Sequence, residues 1–159
     1  MENGKGFISL KTVSDYWNKV LFDYNLLKQN PLNVYLAFNF FVTSYHLVDW
    51  VFEGKTSKGC SERKLFEESS LVRINYHICN GAKHFEPKKN NKNNSVKEIE
   101  DTGYADNDYC SEEYFENDIL IYLEEEFVSE FGNSIEIINL ADKIVSFWKE
   151  ELTKRNLIY

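Results

Sequence analysis

Proline and glycine are scarce in this chain, two and seven of 159 residues. With 43% hydrophobic and 16% aromatic residues beside them, that scarcity excludes a low-complexity or disordered chain and implies a folded one with a ring-rich core. Cysteine is scarcer than glycine and poorly placed for cross-linking. Cys60, Cys79 and Cys110 are odd in number, far apart and without a C-x-x-C pair, so neither a disulfide framework nor a zinc finger is expected and the thiols are read as reduced. Long apolar runs are missing too: no stretch comes near the roughly 18 uninterrupted apolar residues of a membrane span. The opening MENGKGFISLKTVSD lacks a basic region followed by an apolar run, so no secretory signal is expected. A cytoplasmic protein without a membrane partner is the resulting expectation. Cationic residues are in the minority, 18 Lys and Arg against 26 Asp and Glu for a net charge of -8. That balance excludes a broad attraction to phosphate backbones, and any nucleic-acid contact must be local.

What is present reads as helices. A chain of this length matches one domain and hides roughly 70% of its unfolded surface, so residues 1–159 are expected to form a single helical domain. Thr12 and Asp15 have capping-box spacing, and Tyr16, Val20, Tyr24 and Leu27 continue one face, which predicts helix one over Val13–Gln29. Asn30 before Pro31 predicts a second start, with helix two over Pro31–Phe52. That segment is apolar over most of its circumference, the pattern of a helix surrounded by others. After a turn-rich break at Gly54–Gly59 and a short helix near Ser61, helix three is predicted from Ser69 to Phe85, where Pro87 halts it. Residues 86–110 read as a flexible Lys/Asn-rich loop. DILIYLE and SIEII read as two strands of a small acidic β-hairpin insert over 118–138. Asn139 and Asp142 repeat the capping-box spacing before helix four, Leu140–Arg155.

Helix three carries the most distinctive pattern. At 100° per residue, Arg73, His77, Asn80 and His84 fall within about 60° of one another, beside a separate packing arc of Leu71, Ile74, Ile78, Ala82 and Phe85. Helix two has its own polar arc of Asn39, Thr43 and His46 with Asp49 at its edge. Facing stripes would bring His46 toward His77 or His84. Histidine has the pKa for both proton transfers of metal-independent RNA cleavage, and arginine can stabilise charge on the phosphoryl oxygens. The same residue types also form buried hydrogen-bonded seams between helices, and both readings stand. His77 and His84 are two turns apart, about 10 Å along the axis, too far to chelate one ion alone. No metal and no cofactor is expected.

Charge patterning offers another function. From Glu98 to Asp142 there is no Lys or Arg, while acids recur throughout, with Glu124, Glu125 and Glu126 in a row. Such a surface suits a basic partner, because complementary potential speeds and orients association. It also suits simple solvation.

AFNFFVTSYHLVDWV in helix two, VRINYHICNGAKHF in helix three, the hairpin and a terminal LADKIVSFWKEEL together resemble small prokaryotic proteins of HEPN-like architecture. The resemblance covers most of Tyr16–Leu152, apart from the Lys/Asn loop. It implies a mainly α fold, a four-helix HEPN-like bundle with a small antiparallel β-hairpin before the last helix. It also implies a homodimer, RNA as substrate or partner, and a role in prokaryotic defence or a toxin-antitoxin pair. Many HEPN proteins are metal-independent endoribonucleases and others are non-catalytic binding modules. By that resemblance Arg73, His77 and His84 are the catalytic positions, and His46, Asp49, Asn80 and Lys83 the binding positions. The catalytic members carry Arg and His separated by four to six residues. Here three residues separate Arg73 from His77 and ten separate it from His84, so the resemblance implies a ribonuclease site that is altered or lost. The alternative is a non-enzymatic interaction or inhibitor protein that presents its acidic surface to a basic partner.

Overall fold

Local capping sets the first two helices of the computed structural model, which describes residues 6–83, 94–102 and 118–158. In α1 (Val13–Gln29) the Thr12 hydroxyl accepts from the Asp15 amide at 3.1 Å and the Asp15 carboxylate accepts from the Thr12 amide at 2.9 Å. This is the reciprocal box that the spacing predicts. α2 (Val34–Val51) starts later than Pro31 because Asn33, not Asn30, caps it: Asn33 Oδ1 accepts from the amides of Tyr35 and Leu36 at 3.0 and 3.2 Å. Pro31 lies in the turn between the helices. α2 ends on two left-handed residues, Glu53 (φ 52°) and Gly54 (φ 72°). Their amides return to the carbonyls of Trp50 at 3.3 Å and Asp49 at 2.8 Å, the double bond of a Schellman ending.

α1 and α2 form an antiparallel hairpin. Tyr16 stacks on Trp50 with ring centroids 4.7 Å apart. The buried Asp23 carboxylate takes Lys19 Nζ at 2.5 Å and the Thr43 hydroxyl at 2.7 Å. The inner face of α2 buries Ala37, Phe40, Phe41, Ser44, Leu47 and Val48. Its other face is open, with Tyr35 79% and Phe38 45% exposed, so α2 is not the enclosed central helix that its apolar circumference predicts.

α3 (Ser61–Glu67) and α4 (Ser70–Lys83) follow. α4 crosses α2 through the Tyr45 and Tyr76 rings, 5.1 Å apart, and through a buried polar joint. There the Asn75 amide nitrogen faces Phe41 O at 3.1 Å and its oxygen faces Ser44 Oγ at 2.9 Å. The polar link between the two helices is therefore Asn75 with Ser44. His46 and His77 are each bonded elsewhere.

The second half adds β1 (Val96–Asp101), β2 (Ile119–Leu123), α5 (Glu125–Phe131), β3 (Ser134–Glu136) and α6 (Ile137–Lys154). The strands form one antiparallel sheet in the order β1-β2-β3. The fold is mainly helical with a small antiparallel sheet, and the sheet differs from the expected two-stranded hairpin in two ways. A helix, α5, joins β2 to β3, and a third strand, β1, lies inside the stretch 86–110 expected to be a loop. The rest of that stretch, 86–93 and 103–110, lies outside the described residues. α6 also begins earlier than Leu140. Asn139 sits inside its first turn, where Nδ2 donates to Glu136 Oε2 at 2.9 Å, and it caps nothing.

Register assigns the sheet its two faces. Ile99, Ile121 and Ile135 share one row, and Ile121 and Ile135 are buried against the helices. On the opposite face one row is Glu98, Tyr122 and Ser134 and the next is Glu100, Leu120 and Glu136. Beneath the sheet, α6 buries Ile144, Trp148 and Leu152. Trp148 meets Phe66 of α3 at 5.2 Å and Phe66 meets Phe52 at 5.5 Å. At the other end of the core, Tyr24 of α1 donates to Asp142 Oδ1 of α6 at 2.6 Å.

Candidate functional site

The two expected catalytic residues within the described chain are both engaged in joining α4 to the sheet region. Arg73 forms a two-pronged pair with Glu126 of α5, Nη1 to Oε2 at 2.9 Å and Nη2 to Oε1 at 2.6 Å. Its guanidinium also lies over the Phe127 ring, 4.9 Å from the centroid. The hydrogen bonds to Glu126 raise the Arg73 pKa, and the same bonds hold the Glu126 carboxyl below its usual range. The fork that would meet a phosphate is occupied by a carboxylate.

His77 is committed in another way. Its Nδ1 accepts from two backbone amides at the start of β1, Ser95 at 3.0 Å and Val96 at 3.2 Å. Two donors on one nitrogen require that nitrogen to be unprotonated, which leaves the proton on Nε2. Burial lowers the pKa of His77 from the usual 6.5, opposed in part by the nearby Glu124 carboxylate. The ring fastens an edge strand to a helix.

His46 and Asp49 bond to each other, and Asp49 bonds to α3. His46 Nδ1 lies 3.1 Å from Asp49 Oδ2 on its own helix. Asp49 Oδ1 takes Arg63 Nη1 of α3 at 2.8 Å. Arg63 also donates to Glu67 Oε1 at 2.7 Å and to the Lys55 carbonyl at 2.6 Å. Burial opposes the charge of Arg63, but the bonds to Glu67 and Asp49 outweigh it and raise the pKa. This relay, buried at Arg63 and Glu67, ties α2, α3 and the turn between them. Asn80 is half-buried on α4, Lys83 is the last residue of α4, and His84 lies outside the described residues. Cys79 is buried and its thiol is pushed up to about 12 by that burial and then by Asp49, so it stays a thiol at neutral pH. Among the described residues no three His, Cys, Asp or Glu side chains are grouped as an ion would need, and no helix is long and apolar enough to cross a membrane.

The open face of the sheet is built differently. Glu98 and Glu100 are exposed, and Leu120, Tyr122 and Glu136 are half-buried between and beside them. The Tyr122 hydroxyl donates to Glu100 Oε2 at 2.9 Å, and that bond raises the pKa of the phenol. Next to this face lies a hollow of about 560 Å³ lined by Leu120, Phe131, Glu136, Asn139, Asp142 and Lys143. Three glutamates around a leucine, a tyrosine and a hollow can receive the amines or guanidinium groups of a basic chain while covering apolar surface.

Sequence reasoning found the acidity of this region but not its arrangement. β1 was hidden because only Val96 of its six residues is buried, which leaves no alternation of apolar side chains to read. Arg63 with Glu67 and Lys19 with Asp23 were also missed. Each pair has the four-residue spacing of a helical ion pair, and that spacing was the available signal. No family model, curated protein or solved structure matches the chain.

Proposed function

We propose that this protein is a non-catalytic interaction protein whose acidic sheet face, with the hollow beside it, engages the basic surface of a partner. The observation that carries this reading is the grouping of Glu98, Glu100 and Glu136 on one sheet face, in a stretch without Lys or Arg from Glu98 to Asp142. The ion pairs would be exposed and individually weak, on the order of 0.2 to 1 kcal/mol. Binding would therefore need several of them together with apolar contact at Leu120 and Tyr122. The bonds made by Arg73 and His77 support the same reading, because both side chains would have to leave structural partners to serve a phosphate. On a HEPN-like ancestry in a prokaryotic defence or toxin-antitoxin setting, the protein would be one of the binding modules, with its ribonuclease site lost.

The test combines titration and mapping. A fluorescent oligolysine peptide is titrated against the protein at about 50 and about 300 mM salt, and the contact is located by amide chemical shifts. The expected result is salt-sensitive binding that shifts the amides of β1, β2 and β3 and weakens about tenfold or more in the Glu98→Lys/Glu100→Lys/Glu136→Lys variant. Binding that ignores salt and this variant would refute the acidic face. Cleavage of labelled RNA in EDTA, lost in Arg73→Ala or His77→Ala, would refute the non-catalytic reading.

A further inference from the structure

We propose that β1 is a docking edge, and that its occupant is an extended segment of a partner protein alternating basic and apolar residues, which joins the sheet beside β1. This rests on the acidic-face reading above and specifies how the partner is held.

The order β1-β2-β3 puts β1 at an edge among the described strands. The Thr102 amide donates to the Asp118 carbonyl at 2.9 Å, which sets the phase of the ladder. Bonded and non-bonded pairs alternate along antiparallel strands, so Glu100 and Glu98 turn their main-chain groups toward β2 and Ile99 turns its N–H and C=O toward the side that no described strand occupies. Ile99 is therefore the residue that a further strand would pair with.

The side chains around it define what that strand should carry. Ile99 continues the inner row of Ile121 and Ile135. It is 49% exposed where Ile121 is 0% and Ile135 is 7% exposed. An apolar residue set opposite Ile99 would complete the row. The residues on either side of it would point to the outer face, next to Glu98 and Glu100, and opposite charges across a strand pair are favourable. The required pattern is basic, apolar, basic.

The same geometry argues against a second copy of this chain. Two β1 edges set antiparallel would bring Glu98 and Glu100 against their own kind, and like charges placed so are destabilising. The ladder irregularity between Val96 and Glu98 restricts docking to the Glu98–Asp101 end. Main-chain bonds would supply affinity in common with other strand-addition complexes, and the glutamates would supply the choice of partner.

Two peptides of identical composition separate this from simple charge attraction: alternating KVKVKVK and blocked KKKKVVV, titrated against the intact protein. The alternating peptide is expected to bind about tenfold more tightly and to slow hydrogen exchange at the Ile99 amide. Ile99→Pro removes an amide that β2 does not use, and it should reduce the alternating peptide to the affinity of the blocked one. The same reduction is expected with unaltered protein when the alternating peptide is N-methylated at every second amide, so a folding defect in the variant cannot mimic the result. Equal binding of the two peptides without protection at Ile99 would overturn the docking edge and leave the acidic-face reading standing. Absence of binding by either peptide would overturn both.

Discussion

Replacing His77 by alanine removes the acceptor of two backbone amides at the start of β1, Ser95 at 3.0 Å and Val96 at 3.2 Å. Ser95 is fully buried and Val96 nearly so, so neither amide has easy recourse to water. A buried donor left without a partner costs about 1 to 3 kcal/mol. Two of them, with the second partly relieved by local movement, give an expected loss of about 2 to 4 kcal/mol. For a chain of this size in urea, with a slope of about 2 kcal/mol/M, the unfolding midpoint should fall by about 1 to 2 M. His77→Asn places an amide oxygen near the position of Nδ1 and should recover about half of the loss. The pH dependence has a definite sign. Because burial lowers the folded pKa below the unfolded 6.5, the contribution of His77 is complete above that value and is lost as pH falls through the folded pKa. The wild-type urea midpoint should therefore drop between about pH 7.5 and pH 5.5, and His77→Asn should lack that part of the slope. A His77→Ala midpoint unchanged within error, or imidazole nitrogen shifts showing the proton on Nδ1, would refute the role assigned to this ring.

Three further outcomes follow from the same structure. Asn75→Ala should cost about 1 to 2 kcal/mol by leaving the buried Ser44 hydroxyl only the Phe41 carbonyl at 3.2 Å as partner, and adding Ser44→Ala should cost far less than it does alone, as a urea double-mutant cycle would show. Glu53→Gly should raise the melting temperature by about 1 to 4 °C in calorimetry, since glycine adopts the left-handed φ freely and the change removes a carboxylate from the negative end of α2. Arg73→Lys keeps the charge but loses both the fork onto Glu126 and the flat stack on Phe127. It should cost about 1 kcal/mol in urea unfolding, with most of that loss absent in a Glu126→Gln background if the pair is the cause.

The parts of the fold that sequence predicts well are those fixed by neighbours in the chain. Thr12 and Asp15 define the start of α1 because the box is complete within four residues, and the apolar spacing to Leu27 carries the helix to its end. α2 shows where that logic weakens: Asn30 before Pro31 and Asn33 before Val34 are both credible caps, and only the turn geometry chooses between them. Its apolar circumference predicts a helix enclosed on all sides, yet Tyr35 and Phe38 face outward, because hydrophobicity marks what a helix can bury and not what arrives to cover it. The stripe of Arg73, His77 and Asn80 was readable as a stripe. Its meaning was not, since Glu126 lies 53 positions from Arg73 and Ser95 lies 18 from His77, and nothing local links them. The acidic face was legible as composition but became a face only through the register of β1, β2 and β3.

The α1–α2 hairpin also bears on how the chain folds during synthesis. Its internal contacts lie within residues 13–51, so it can form as soon as that segment emerges, while its partner α6 begins only at Ile137. At ribosomal speeds of about 5 to 20 residues per second, α4 follows the hairpin and covers much of α2 within roughly 2 to 6 seconds, whereas the start of α6 follows only after roughly 4 to 17 seconds. During that interval the part of the α1–α2 hairpin that meets α6 is uncovered in the nascent chain, and a chaperone that holds apolar segments would act there. A circular permutant that places α6 directly before α1 would shorten the wait and with it the dependence on such help.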